Sequence, residues 1–364
     1  MTSQRTSPSL PKARGHKQLM SQLLTSARHY IELAEQSDVA SLRHFLLTHP
    51  ERPLITLGHG GSFASASYAA LLYGTNCGVG KAVTSYLANS LSDATLQNSK
   101  LMLVSKSLKN IDAKHIYQRM QHVNPSFSCH LSLPSEAGDL SEGFISIHST
   151  FMFFSMLYKA FTGDADFSRL LALSPDAVCN YTYRCVDGAV TPPDLSTISR
   201  FTVLYGSYGE PVAHKLESNM TEAGLASCVI SDFRDECHGR FLSLSNFISS
   251  RRHPQTDCAL VLLVTPREEG VCRQLLKCLP AHLPVVIIRT VIDTPLASID
   301  LLYKMSMFTA DYGEKYCLSN PNDPNNLGGI DKRAFRDHVS FREDFRHYGP
   351  LSLSASEALQ KKCA

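Results

Sequence analysis

The stretch with the most chemical potential is Thr56-Leu57-Gly58-His59-Gly60-Gly61-Ser62-Phe63-Ala64-Ser65-Ala66. The apolar run Leu54 to Leu57 enters it, and Ala69-Ala70-Leu71-Leu72 leaves it with helical character. A strand, a glycine turn and a helix in that order present backbone N–H groups and a helix N-terminus to an anion. The spacing has neither the Gly-Lys-Ser/Thr of a Walker loop nor a full dinucleotide fingerprint. A tight turn that only packs a helix onto a sheet is therefore an equal reading. A second polar stretch, Ser105-Lys106-Ser107-Leu108-Lys109-Asn110-Ile111-Asp112, follows the run Leu101 to Val104. Two hydroxyls at i and i+2 in a turn can converge on a phosphate monoester, and Asn110 can cap the next helix and donate as well. Lys106 and Lys109 add positive charge. Alone this is a polar turn with a helix cap; beside the glycine turn, phosphate is the stronger reading.

The second half repeats the layout. Phe201 to Tyr205 reads as a strand, Gly206-Ser207-Tyr208-Gly209 as a glycine turn, and Pro211 to Ala223 as a helix stopped by Gly224. Val212, Leu216 and Met220 form its buried stripe. His214, Ser218 and Glu222 recur at i, i+4 and i+8, which by itself describes a solvated helix face, and Glu217 competes with Glu222 as a base. Asp232, Asp235, Glu236, Cys237 and His238 read as a polar loop whose spacing fits no common metal site.

The elements that must position these residues follow from periodicity. A helix is predicted from His16 to His49, ended by Pro50. Continuous apolar runs at 101–104, 259–264 and 285–288 have the character of strands covered on both faces. Short strands are expected over 82–88 and 127–133, and helices over 111–122, 151–161 and 270–279. The fold class is therefore α/β, with two domains of parallel sheets flanked by helices. Residues 1–17 read as a disordered leader, 18–170 as the first domain, 171–199 as a proline-punctuated connection, 200–330 as the second domain and 331–364 as a tail. In open sheets of this kind ligands lie at the carboxyl ends of the strands, where both glycine turns and the serine-rich turn fall.

Composition narrows the function. The 364 residues are 43% hydrophobic with a net charge of +2, enough for a large core and without the basic footprint of a nucleic-acid binder. No run approaches the roughly eighteen apolar residues of a membrane span. Eleven cysteines at irregular spacing, without a Cys-x-x-Cys pair, point to a reduced cytoplasmic setting.

These residues together resemble the sugar isomerase (SIS) phosphosugar-binding family in its tandem form, as in the isomerase half of glucosamine-6-phosphate synthase. The resemblance spans about residues 20 to 330 and rests on three local matches. Gly60-Gly61-Ser62 stands at the family's first turn, Ser105 to Asp112 at its phosphate loop, and Ile147-His148-Ser149-Thr150 at the segment closing the sugar site. It implies tandem three-layer, flavodoxin-like domains in which Gly61, Ser62, Ser105, Ser107 and Asn110 hold phosphate and Ser149 holds the sugar. Glu222 precedes His238-Gly239 by the interval at which the family's isomerising glutamate precedes its ring-opening histidine. The resemblance thus makes Glu222 the base that moves a proton between C1 and C2. It makes His238 the ring-opening acid/base, reaching the site from a neighbouring subunit of a homodimer. Partial burial of the glutamate and an imidazole titrating near neutrality would suit those jobs. No metal or redox cofactor is implied.

Departures bear on the reaction. Leu108 replaces the glycine of the phosphate loop, and Gly329 in Pro324-Asn325-Asn326-Leu327-Gly328-Gly329 stands where the family has a lysine, with Lys332 three residues on. The glutamine-hydrolysing domain of the synthase is absent from the sequence. The expected activity is aldose–ketose isomerisation, or deglycation or deamination, of a sugar or amino-sugar 6-phosphate. The rival is a non-catalytic phosphosugar sensor, and a third reading is a nucleotide-binding α/β protein.

Overall fold

The computed structural model describes residues 27–133 apart from 107, 109 and 110, then 148–163, 167, 170, 181–183, 195, 197–222, 225–243, 245, 257–280 and 283–319. The leader at 1–17, Ser107, Asn110, the Pro324–Lys332 stretch and the tail at 331–364 lie outside the described residues.

The first sheet has the order β2-β1-β3-β4, all parallel. After helix α1 (residues 27–36) and α2 (Ala40–Leu47) come β1 (Leu54–Gly58), α3 (Gly61–Asn76) and β2 (Gly80–Thr84). Next are β3 (Lys100–Val104), α4 (Ile111–Val123), β4 (Ser128–Leu131) and α5 (His148–Thr162). The second sheet has the order β5-β9-β8-β6-β7. Its elements are β5 (Tyr181–Tyr183), β6 (Arg200–Tyr205), α6 (Glu210–Glu222), β7 (Ser227–Asp232), β8 (Cys258–Val264), α7 (Glu269–Cys278), β9 (Val285–Arg289) and α8 (Ala297–Ser319). Every strand of this sheet is parallel to its neighbours except β5, which pairs antiparallel with β9.

The inner strands β1, β3 and β8 are buried along their whole length, as their apolar runs require once helices cover both faces. Outer helices α4 and α7 close two smaller apolar layers, one on each sheet. Between the sheets lies one shared core, with α3, α5, α6 and α8 contributing Tyr68, Phe154, Leu216 and Phe308 among others. Tyr68 stacks on Phe154 with ring centroids 4.3 Å apart and donates to the Pro295 carbonyl at 2.9 Å, which ties the first half to the second. The halves are thus two sheets on a common helical layer.

Several expectations change. The helix expected over 16–49 is broken in its described part at Ser37–Val39, giving α1 and α2. The strand expected over 82–88 is β2, shifted to 80–84, and residues 85–88 make a helical turn. Inside the stretch read as a connection, Tyr181–Tyr183 adds an edge strand to the second sheet. Lys100, at the head of a strand that is otherwise apolar, is fully buried. Its ammonium donates to the carbonyls of Leu46 at 2.8 Å and Thr48 at 2.6 Å, satisfying the end of α2. The described cysteines are all free thiols, and no described helix is long and apolar enough to cross a membrane.

His148 opens α5 in a buried position against Tyr30, and burial pushes its imidazole down to about 4. An unfolded imidazole titrates near 6.5. The folded chain therefore takes up this proton less readily, and stability present above about pH 6.5 is lost as the pH falls toward 4. Burial shifts His130 and His214 in the same direction. The melting temperature is expected to fall between pH 6.5 and 4, and less steeply in His148→Leu. An unchanged slope in that variant contradicts the assignment.

Candidate functional site

In the first sheet the chain leaves β1 for β2 on one side and returns to β3 on the other. A crevice forms at the carboxyl ends of strands where the order reverses in this way. β1 ends at Gly58, His59 and Gly60 make the turn, and α3 starts at Gly61. Gly60 has φ 52° and ψ −133°, a conformation essentially restricted to glycine. The Ser62 N–H donates to the His59 carbonyl at 3.1 Å and the Phe63 N–H to the Gly60 carbonyl at 2.9 Å. Both amides are engaged within the turn, so Ser62 has its half-buried hydroxyl to offer rather than its N–H.

The start of the serine-rich turn is fixed from β4. The Ser105 N–H donates to the Leu131 carbonyl at 3.1 Å, and His130 Nε2 lies 3.2 Å from the Ser105 carbonyl oxygen. Ser105 therefore follows β3 at the same edge of the sheet as the glycine turn. Ser149 lies in the first turn of α5, half-buried.

The second half reaches this turn through α6. A Cβ on Gly60 would lie 3.1 Å from Glu222 Oε1, and one on Gly61 would lie 2.8 Å from Lys215 Nζ and 4.0 Å from Ser218 Oγ. Ser218 donates to Glu222 Oε1 at 2.6 Å. Lys215 and Ser218 are buried, whereas Glu222 is exposed rather than partly buried. Burial brings the Lys215 ammonium down to about 8, against the opposing attraction of Glu222. Val212, Ala213, Leu216 and Met220 seat the helix in the core. His214 sets its ring edge-on to Phe63 at 4.8 Å between centroids, locking α6 against α3. The stripe His214–Ser218–Glu222 is thus an inter-half contact in addition to a helix face. Glu217, the competing base, lies on the side of Cys228 in β7, and burial raises its carboxyl.

His238 occupies a different place. It lies in the π-helical turn Glu236–Arg240 that follows β7, and it is exposed. Among the described residues no group of three or more His, Cys, Asp or Glu side chains converges to hold a metal.

A second crevice of about 550 Å³ opens at the carboxyl ends of β6 and β7, lined by Gly206, Ser207, Glu210, Asp232, Arg234, Arg267 and Glu268 among others. Here the glycine turn is covered by the chain itself. Glu268 accepts from the Thr265 N–H at 3.1 Å and from the Thr265 hydroxyl. A Cβ on Gly206 would fall 1.9 Å from Glu268 Oε1. At the first turn the Glu222 carboxylate is accompanied by the Lys215 ammonium and the Ser218 hydroxyl, whereas Gly206 faces the Glu268 carboxylate, so the two glycine turns are chemically unlike. Burial and the nearby Asp232 charge raise the Glu210 carboxyl, and Arg267 pairs with Asp293 at 2.6 Å over the Tyr208 ring.

With this geometry, solved structures of similar architecture carry information. Glucosamine-6-phosphate deaminase from Thermotoga maritima matches with a TM-score of 0.60 at 12% identity, covering 86% of this chain and 98% of that one. Tagatose-6-phosphate ketose/aldose isomerase from Escherichia coli matches with a TM-score of 0.57 at 12% identity, covering 87% and 96%. The chain has the sugar isomerase fold. The C-terminal domain of glucosamine-fructose-6-phosphate aminotransferase from Francisella tularensis also matches, with a TM-score of 0.51 at 11% identity over 84% and 98% of the chains. No family model and no curated protein matches the sequence. At these identities the likeness is one of fold.

Sequence reasoning passed over Lys215, Asn219 and Glu268. The first two sit on α6 within a turn or two of Glu222, and the signal was a lysine beside an otherwise apolar stripe. Gly206→Ala should displace the Glu268 carboxylate from Thr265 and lower stability by about 1–3 kcal/mol, read from urea unfolding. An unchanged midpoint would show that Glu268 moves without loss.

Proposed function

We propose that this protein binds a phosphorylated sugar or amino sugar at the carboxyl edge of its first sheet and moves a proton between C1 and C2, with Glu222 as the base. The observation that carries this reading is the Glu222 carboxylate, delivered by a helix of the second half to the Gly60 turn of the first and oriented by Ser218. A fold shared with a tagatose-6-phosphate isomerase and a glucosamine-6-phosphate deaminase supports the substrate class. Ser62 and Ser105 flank the same edge as phosphate ligands with Gly61, Ser149 holds the sugar, and the resemblance adds Ser107 and Asn110 to the phosphate ligands. The reaction is isomerisation, or the related deglycation or deamination, through an enediol or enediolamine.

A homodimer fits this reading. His238 is exposed, and Phe241 and Leu242 just beyond it are 48% and 59% exposed. In such a dimer His238 of the partner subunit opens the sugar ring. Free thiols suit a reducing compartment such as the cytoplasm. The second reading, a non-catalytic phosphosugar sensor, is favoured by Leu108 in the phosphate loop and by Gly329 where the family has a lysine.

Hexose and amino-sugar 6-phosphates incubated with the protein in deuterated water separate the two. The enzyme exchanges the C2 hydrogen, and Glu222→Gln slows exchange by about 100-fold or more. Tight binding of a sugar phosphate without exchange selects the sensor, and undiminished exchange in Glu222→Gln removes that residue as the base.

A further inference from the structure

We propose that Lys215 and Asn219 of α6 form the oxyanion-binding pair of this site, donating to the substrate oxygen that gains charge when Glu222 removes the carbon-bound proton. The inference rests on the reading of Glu222 as the base and assigns two residues that the family resemblance leaves out.

Two independent observations carry it. First, the Lys215 ammonium, 2% exposed, is aimed at the substrate turn: a Cβ on Gly61 would lie 2.8 Å from its Nζ. A buried lysine carries a large desolvation cost that must be offset by nearby negative charge. Glu222 supplies part of that charge, and it lies on the same face of the helix, seven residues on. Second, Asn219 is 3% exposed and its Nδ2 is a buried donor with no hydrogen-bond partner among the described residues. Such orphans are rare in folded proteins, and each costs stability. Asn219 lies four residues after Lys215 and three before Glu222, so one helix face presents ammonium, amide and carboxylate in succession.

That succession matches the electron flow of the reaction. In the open-chain aldose the Glu222 carboxylate takes the proton from C2, and the C2–H electron pair becomes the C1=C2 bond. The carbonyl pair moves onto O1, where the negative charge meets the donors of Lys215 and Asn219. A proton then passes from the O2 hydroxyl to O1 through solvent. The Glu222 carboxyl returns its proton to C1 as the O2 charge collapses to the C2 carbonyl, giving the ketose and restoring the carboxylate. Donors fixed in advance at the point where charge develops act chiefly on the transition state.

The test compares Lys215→Met and Asn219→Leu with the wild-type protein for C2 hydrogen exchange and melting temperature. Each variant should lose about 100-fold in kcat with KM changed by less than about threefold. Asn219→Leu, which removes an unpaired buried donor, should melt no lower than wild type while losing activity. A purely structural asparagine gives the opposite pattern. If Lys215→Met does not fold, Asn219→Leu decides. Exchange that is lost in Glu222→Gln but kept near the wild-type kcat in both variants overturns this inference alone. A wild-type protein that binds sugar phosphate without exchange overturns it together with the function on which it rests.

Discussion

The contact of α6 with the start of α3 is the interaction on which the site depends. A helix from one half approaches a glycine turn of the other so closely that a Cβ on Gly60 or Gly61 would crowd the ends of the Glu222 and Lys215 side chains. The approach is possible because α3, α5, α6 and α8 share one apolar layer between the two sheets. The Phe63–His214 ring contact and the apolar face of α6 fix its rotation, which in turn fixes the direction of Ser218 and Glu222. The side chains that face this turn are therefore a property of the whole tandem chain. Neither half contains both the turn and the carboxylate.

Duplication of the layout has led to divergence of its two crevices. In the first half the turn is faced by an ammonium, a hydroxyl and a carboxylate supplied by α6. In the second, Glu268 folds back from the end of β8 onto Gly206. Strand order reverses at both β1 and β6, so topology provides two candidate crevices. Side chains decide between them, and the decision rests on where one glutamate is tethered.

Much of this was legible in the sequence. β1, β3, β6, β8 and β9 were visible as apolar runs because strands covered by helices on both faces need continuous hydrophobicity. β7 was not, since it is a sheet edge whose residues alternate between exposed and half-buried. β5 escaped for a similar reason: three residues, Tyr181 to Tyr183, have no period to show. The break between α1 and α2 falls at the polar run Glu35-Gln36-Ser37-Asp38, where Asp38 accepts from the Ala40 N–H; the apolar period before it outweighed that local start signal in the reading of one long helix. The glycine turn and Glu222, named from local pattern and family resemblance, lie against one another in the fold. Lys215 and Asn219 were not named, because a lysine and an asparagine on a helix read as solvated until a neighbouring element is shown to bury them. The unlike character of the second turn was also invisible, since it depends on Glu268, sixty-two residues from Gly206 along the chain.

Burial of polar groups around α6 carries a cost in stability. Ser218, Lys215 and Asn219 are all shielded from water beside an exposed carboxylate. An apolar face there would hold α6 to α3 at least as firmly. Ser218 donates to Glu222, and the Asn219 amide is left without an acceptor among the described residues, a place where a bound ligand could supply one.

The most direct measurement is the structure of the full chain with a sugar 6-phosphate bound. The account predicts the sugar at the carboxyl edge of the first sheet, beside the Gly60–Gly61 turn, with C2 next to Glu222 and an oxygen of the C1–C2 unit on Lys215. A ligand seated in the Gly206 crevice, with Glu222 untouched, would contradict it.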